Sequence, residues 1–191
     1  MGLRLITPPA EEPITLEEAK QHLRVEDSSQ DLLIGLYIMA ARQHIDGKDG
    51  WLGRAIVSQT WELSLDTFPA DEIQIPLVPL VSITSVVYDD EDGIEQTIDG
   101  ADYTLDPAGW VVTAGDYSWP TPITAINAVR VRFVAGYGDA ADVPATIKAA
   151  ILLMVGDLYA QRESFATGPA SAVPMSTTVE NLLAPLRVWT L

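Results

Sequence analysis

Apolar positions recur at helical spacing near both ends of the chain and alternate with polar ones in its middle. The most apolar run covers residues 144–164, where Ile147, Ile151, Met154 and Leu158 share one helical face and Ala150 fills a gap on it. Leu152, Leu153 and Val155 put apolar groups on the other side too. A helix apolar nearly all round is either buried or in a membrane. Lys148 and Asp157 break the run well short of the ~20 residues a bilayer needs. The pattern predicts a buried central helix about 30 Å long, with Pro144 in its first turn, where a missing N–H costs nothing.

Residues 1–13 read as extended, with Pro8, Pro9 and Pro13 opposing regular hydrogen bonding. Thr15 and Glu18 stand at capping-box spacing and open a short helix with Leu16, Ala19 and Leu23 as its apolar face. A second helix follows the polar break at 26–29 and runs to about Asp46. Its expected buried face is Leu32, Leu33, Leu36, Met39 and Ala40. The Gly-rich stretch 46–54 then turns the chain to strand periodicity. Val57, Trp61, Leu63 and Leu65 take one face, and Ser58, Thr60, Glu62 and Ser64 the other. Ile73 and Ile75 continue the pattern. Val81, Ile83 and Val87 predict a strand answered by Ile94, Gln96 and Ile98 across 89–93. Shorter strands follow at 102–105 and 110–113. The clearest strand is 128–135, with Val129, Val131 and Phe133 inward and Arg130 and Arg132 outward. After the central helix, 166–178 reads as a link rich in small residues and proline. A last short helix begins with Thr177 and Glu180 at capping-box spacing and carries Leu182, Leu183 and Leu186. The fold class is therefore α+β, an antiparallel β unit inserted between helical segments.

Composition narrows the functions available. The 191 residues suffice for one domain with an insertion, and 48% of them are hydrophobic, enough for a substantial core. There are no cysteines, which excludes disulfides and thiolate metal sites. The formal charge of −16 and the scattered basic residues give no grip on phosphate backbones, because such affinity needs clustered Lys and Arg. No signal-peptide core precedes the first helix, and Ile6 occupies the Ser/Thr position that myristoylation of Gly2 would require, so the cytoplasm is the expected compartment.

Candidate chemistry is sparse. The DDEDG stretch at 89–93 suggests calcium, but aligning Gly93 with loop position 6 puts Tyr88 and Asp99 where the terminal ligands belong, so a β-turn fits better. Gly136-Tyr137-Gly138 lacks the third glycine and the Lys of a phosphate loop and reads as a backbone turn. His22 and His44 have no third ligand in sequence reach. No nucleophile elbow or triad spacing appears, so no catalytic residue, cofactor or metal is assigned. Trp51 and Trp119 sit in Gly/Pro turns, where an aromatic can anchor another chain. Trp189 in the apolar end RVWTL points to docking on the chain's own core or on a partner.

Four stretches together identify a family. They are PITLEEAKQHLRVE (13–26), GRAIVSQTWELSLDTFP (53–69), VRVRFVAGYGDAADVPATIKAAILLMVGDLYAQRE (129–163) and VENLLAPLR (179–187). In order and spacing the chain resembles the phage head–tail connector (adaptor, or head-completion) family, in the long form of prophages and gene-transfer-agent-like particles. The resemblance implies a small helical bundle around the long central helix, carrying the β insertion. On that plan 1–52 hold the N-terminal extension and two helices, 53–138 the β unit, and 139–191 the central helix, link and terminal helix. It implies a structural protein of the virion, assembled in the host cytoplasm as a ring, commonly dodecameric, under the portal vertex. The ring extends the DNA channel, passes DNA without specific binding, and gives the tail-completion (stopper) protein a docking surface. No membrane is involved, and a monomer in isolation is compatible with the plan. The family's C-terminal segment reaches the portal protein, which points here to Leu182, Leu183, Leu186, Arg187, Trp189 and Leu191. Two other readings compete: a ligand-binding β module, carbohydrate being one candidate ligand, and a hydrolase using paired carboxylates. Neither has a specific motif.

Overall fold

The computed structural model describes residues 1–70, 72–106, 109–161 and 175–189. Along the chain lie β1 (Gly2–Thr7), α1 (Leu16–Leu23), α2 (Asp31–Ile45), β2 (Gln59–Leu65), β3 (Ile73–Gln74), β4 (Leu80–Asp89), β5 (Glu95–Thr97), β6 (Tyr103–Asp106), β7 (Trp110–Thr113), β8 (Val129–Ala135), α3 (Ala145–Ala160) and α4 (Thr177–Leu183), with 3-10 turns at Ala140–Asp142 and Ala184–Leu186. The chain is α+β and forms two compact units. One comprises Met1–Ala10 and Ala55–Gly138, the other Glu11–Arg54 and Asp139–Leu191.

The β unit holds two antiparallel sheets, a five-stranded one in the order β1-β2-β8-β4-β5 and a three-stranded one in the order β3-β7-β6. Strand β8 is the axis of the larger sheet. Its Val129, Val131 and Phe133 are fully buried, as their alternation predicts. Phe133 lies opposite Trp61 on β2 and Ile83 on β4. Strand β4 departs from simple alternation. Register shifts between Leu80 and Ser82 and between Ile83 and Ser85 move its inward side to Leu80, Ile83, Val86 and Tyr88. Val81, one of the three apolar residues that predict this strand, is therefore exposed. The N-terminal residues also differ from expectation. Gly2–Thr7 form an edge strand on β2, with one register shift between Leu5 and Thr7, because Pro8, Pro9 and Pro13 follow the ladder and do not interrupt it.

The outer face of the larger sheet carries cross-strand ion pairs. Glu62 on β2 stands opposite Arg4 on β1 and Arg132 on β8, and accepts hydrogen bonds from both, at 2.8 and 2.7 Å. The two arginines cover it, so this residue of the polar face is buried. Burial alone would raise its pKa, but hydrogen bonds from Arg132 and Arg4 outweigh that and hold it below the usual glutamate range. A carboxylate with a lowered folded pKa adds stability above its unfolded pKa and loses that contribution as pH falls through the folded value. Glu62→Gln should therefore cost about 1–3 kcal/mol near neutrality. The gap in melting temperature from the unaltered chain should close as pH drops through and below the ordinary glutamate range. A gap independent of pH would show that the ion pairs do not act this way. Nearby, Arg130 bridges Asp89 and Glu95 at 2.7 and 2.8 Å, joining β8, β4 and β5 on the same face.

The 89–93 stretch is a turn. Asp90 accepts hydrogen bonds from the N–H groups of Asp92 and Ile94, and Gly93 takes a φ of 76°. Gly136-Tyr137-Gly138 is also a backbone turn, as its sequence predicts. Tyr137 N–H donates to Ile56 O, and Gly138 O accepts from Ser58 N–H. A Cβ on Gly136 would fall 2.6 Å from Ser58 N at a φ of 140°, so only glycine fits.

In the helical unit α3 touches α1, α2 and α4, which makes it the central helix. It is shorter than 144–164. Pro144 precedes the first turn with ψ 135°, the helix ends at Ala160, and 162–164 lie outside the described residues. Its length is about 24 Å. Ile147, Ala150, Ile151 and Val155 form its buried stripe, while Leu152, Leu153 and Met154 are half-buried and Leu158 is exposed. Helix α1 has the expected capping box: Glu18 N–H donates to Thr15 Oγ1 at 3.1 Å, and Thr15 N–H to Glu18 Oε2 at 2.7 Å. For α4 the cap is Ser176, not Thr177; its hydroxyl accepts from Val179 N–H. Most of the 166–178 link lies outside the described residues.

Helix α2 reverses its expected orientation. Ile34, Ile38, Ala41, Arg42 and Ile45 are its buried side. Leu32, Leu36 and Met39 are 89%, 56% and 40% exposed, and Ala40 is exposed as well. Both faces have helical apolar periodicity. The choice is fixed by Arg42, whose guanidinium is buried against Glu12 (2.7 and 3.2 Å) and Asp46 (3.0 Å), a pairing that a buried cation requires.

Candidate functional site

The most distinctive accessible constellation is at the C-terminal end of the helical unit. Past α2 the chain folds back on itself: Trp51 N–H donates to His44 O, Leu52 N–H to Ile45 O, and Gly47 N–H to Arg54 O. This turn buries Leu52 fully and leaves Trp51 half-buried beside it. The chain after α4 then runs back over the turn. Val188 N–H donates to Leu52 O at 2.8 Å, and a Cβ on Gly53, at a φ of 64°, would lie 3.3 Å from Val188 O. Because Arg187 begins an extended segment, Arg187 and Trp189 project to the same side. The Arg187 guanidinium carbon lies 4.4 Å from the Trp51 ring centroid and 4.2 Å from that of Trp189. Each such cation–π contact contributes about 0.5–2 kcal/mol, depending on exposure.

Three residues singled out from sequence, Trp51, Arg187 and Trp189, thus meet in one clamp. Trp189 is 68% exposed. Arg187 has no salt bridge among the described residues, in a chain with 27 acidic side chains. A guanidinium seated against two indoles and in no salt bridge among the described residues keeps N–H groups available for a carboxylate. Leu182 and Leu186 are half-buried next to the clamp in sequence, Leu183 is fully buried in the unit's own core, and Leu191 lies outside the described residues. Trp119 belongs to the β unit, where it stacks on Phe68 with ring centroids 5.0 Å apart and meets Tyr117 edge-on. Its ring is engaged with the chain's own core. Sequence reading missed the exposed α2 face, whose only signal is that α2 is apolar on both sides. Among the described residues no helix is long and apolar enough to cross a membrane.

An α+β chain with accessible aromatic and apolar elements presents surfaces suited to contact with other chains. The phage gp6-like head-tail connector protein family matches over residues 13–110. That is more than half of the chain, and the chain belongs to this family; its role is that of a structural connector in a phage-like particle. The fold recurs in a chain from the neck of an empty GTA particle computed with C6 symmetry (24% identity, TM-score 0.77). It recurs in the virion of a native gene transfer agent (GTA) particle (24%, 0.79) and in the neck of a native GTA particle computed with C12 symmetry (21%, 0.71). Each alignment covers 100% of this chain and 97% of the other. At these identities the likeness shows the fold. Comparison with curated proteins gave no match.

Proposed function

We propose that this chain forms a dodecameric ring between the portal of a capsid and its tail, in a phage or gene-transfer-agent-like particle. The observation that carries the reading is the family match combined with a full-length fold shared with chains of GTA particle necks. In this role the chain works by contact alone and catalyses nothing. Its charge of −16 suits a conduit wall, because like charge keeps DNA from adhering during passage. The clamp of Trp51, Arg187 and Trp189, with Leu182 and Leu186, docks the portal protein. Tryptophan and arginine dominate binding energy at protein interfaces, and a clamped guanidinium has little conformational freedom left to lose. The stopper protein of the tail docks elsewhere on the ring, and Trp119 is left out of the portal-docking surface. The protein acts in the virion at the head–tail joint after assembly in the host cytoplasm.

Quantitative mass spectrometry of purified particles tests the ring. The expected result is a copy number near twelve per particle, in fixed ratio to the portal. A copy number in the hundreds would place the chain in the shell or the tail tube and overturn the reading.

A further inference from the structure

The solvent-facing side of α2 is apolar and unoccupied. Leu32, Leu36 and Met39 lie opposite the helix's buried stripe, and no charged residue occurs on α2 between Asp31 and the buried Arg42. Gly35 sits in the same stretch, and a Cβ there would meet nothing within 4 Å. Glycine in a helix interior is unfavourable, and among the described residues nothing uses the space it leaves. Beside this ridge, between α2 and α3, runs an apolar groove of about 280 Å³ lined by Ala40, His44, Met154, Leu158 and Met175, with Asp157 as the one acid on its wall. An enclosed apolar cavity of about 150 Å³ holds a benzene, so the groove has room for aliphatic side chains.

We infer that the occupant of this surface is a second copy of the chain: the Leu32–Leu36–Met39 ridge of one subunit seats in the α2–α3 groove of the next. The inference rests on the ring reading above and specifies how the ring is closed. A cyclic ring joins unlike surfaces head to tail, so each subunit must carry two different patches that fit each other. Ridge and groove are two such patches on one unit. Charge selects the same place. Copies carrying −16 each repel one another, and they approach at less cost where the facing surfaces hold few carboxylates; the ridge carries none and the groove one, Asp157. A large exposed apolar stripe in a chain this acidic also needs a cover, and Gly35 lets a neighbour's side chain lie close to the α2 backbone.

The chain is free of cysteine, so cross-linking can be placed at will. The full chain carrying both Leu36→Cys and Leu158→Cys is assembled into particles and treated with a short bismaleimide. Leu36 and Leu158 are both exposed, 56% and 37%, and the thermal melt of the double variant should match that of the unaltered chain. The expected result is a ladder of covalent oligomers on a denaturing gel, while each single-cysteine variant gives none. Rings present in the particles by microscopy but without the ladder would overturn the ridge-in-groove contact and leave the ring standing, with another partner covering α2. Dimers from Leu36→Cys alone would show like faces meeting and overturn the head-to-tail arrangement. Particles without a ring of this chain would overturn the inference together with the reading beneath it.

Discussion

A chain carrying Arg187→Ala and Trp189→Ala should bind portal-bearing heads at least ~10-fold more weakly than the unaltered chain, since truncating residues of this kind commonly costs ~2 kcal/mol or more at an interface. The fold should hardly change. Trp189 is mostly exposed, and what the double variant loses within the chain is two cation–π contacts near the surface. Removing the whole segment from Pro185 onward is a blunter experiment, because Val188 N–H is bonded to Leu52 O and Leu52 is fully buried. The point variants separate docking from folding, and truncation mixes them. Co-sedimentation of the chain with tail-less heads gives the binding, and circular dichroism on the same samples reports the fold. Unchanged binding would remove the clamp from the portal contact.

The second large effect falls on stability. Phe133→Ala should lower the unfolding free energy of the β unit by about 3–5 kcal/mol. Phe133 is fully buried on the central strand of the five-stranded sheet, between Trp61 and Ile83, in the cluster that also holds Leu63, Val86 and Val131. A closely packed interior cannot collapse around so large a loss. Urea unfolding followed by Trp fluorescence gives the number from the shift in midpoint at constant slope. A cost under ~1 kcal/mol would mean that the two sheet neighbours close the cavity and that Phe133 is not the keystone of the core.

Strand β8 was legible from sequence because one of its faces is buried throughout, so period-two alternation runs unbroken from Val129 to Phe133. Strand β4 was only half legible. Two bulges change the parity of its side chains, and a bulge is fixed by the partner strand's register, which no local pattern records. Helix α2 is ambiguous from sequence, because Leu32–Leu36–Met39 and Ile34–Ile38–Ala41–Ile45 satisfy the same periodicity and only the second is buried. The deciding element is Arg42, buried against Glu12 thirty residues away in sequence. The same limit applies to Glu62, which looks like an outward polar residue until β1 and β8 bring Arg4 and Arg132 to it. Trp51, Arg187 and Trp189 were each recognisable as aromatic or terminal docking residues. Their meeting was not, since it depends on a hydrogen bond between Val188 and Leu52, which are far apart in sequence.

Electron microscopy of particles made with this gene disrupted tests whether the chain joins head to tail. Filled or leaking heads beside separate, intact tails are expected, with joining restored by the unaltered chain supplied in trans. Normal tailed particles in its absence would contradict a place at the head–tail joint.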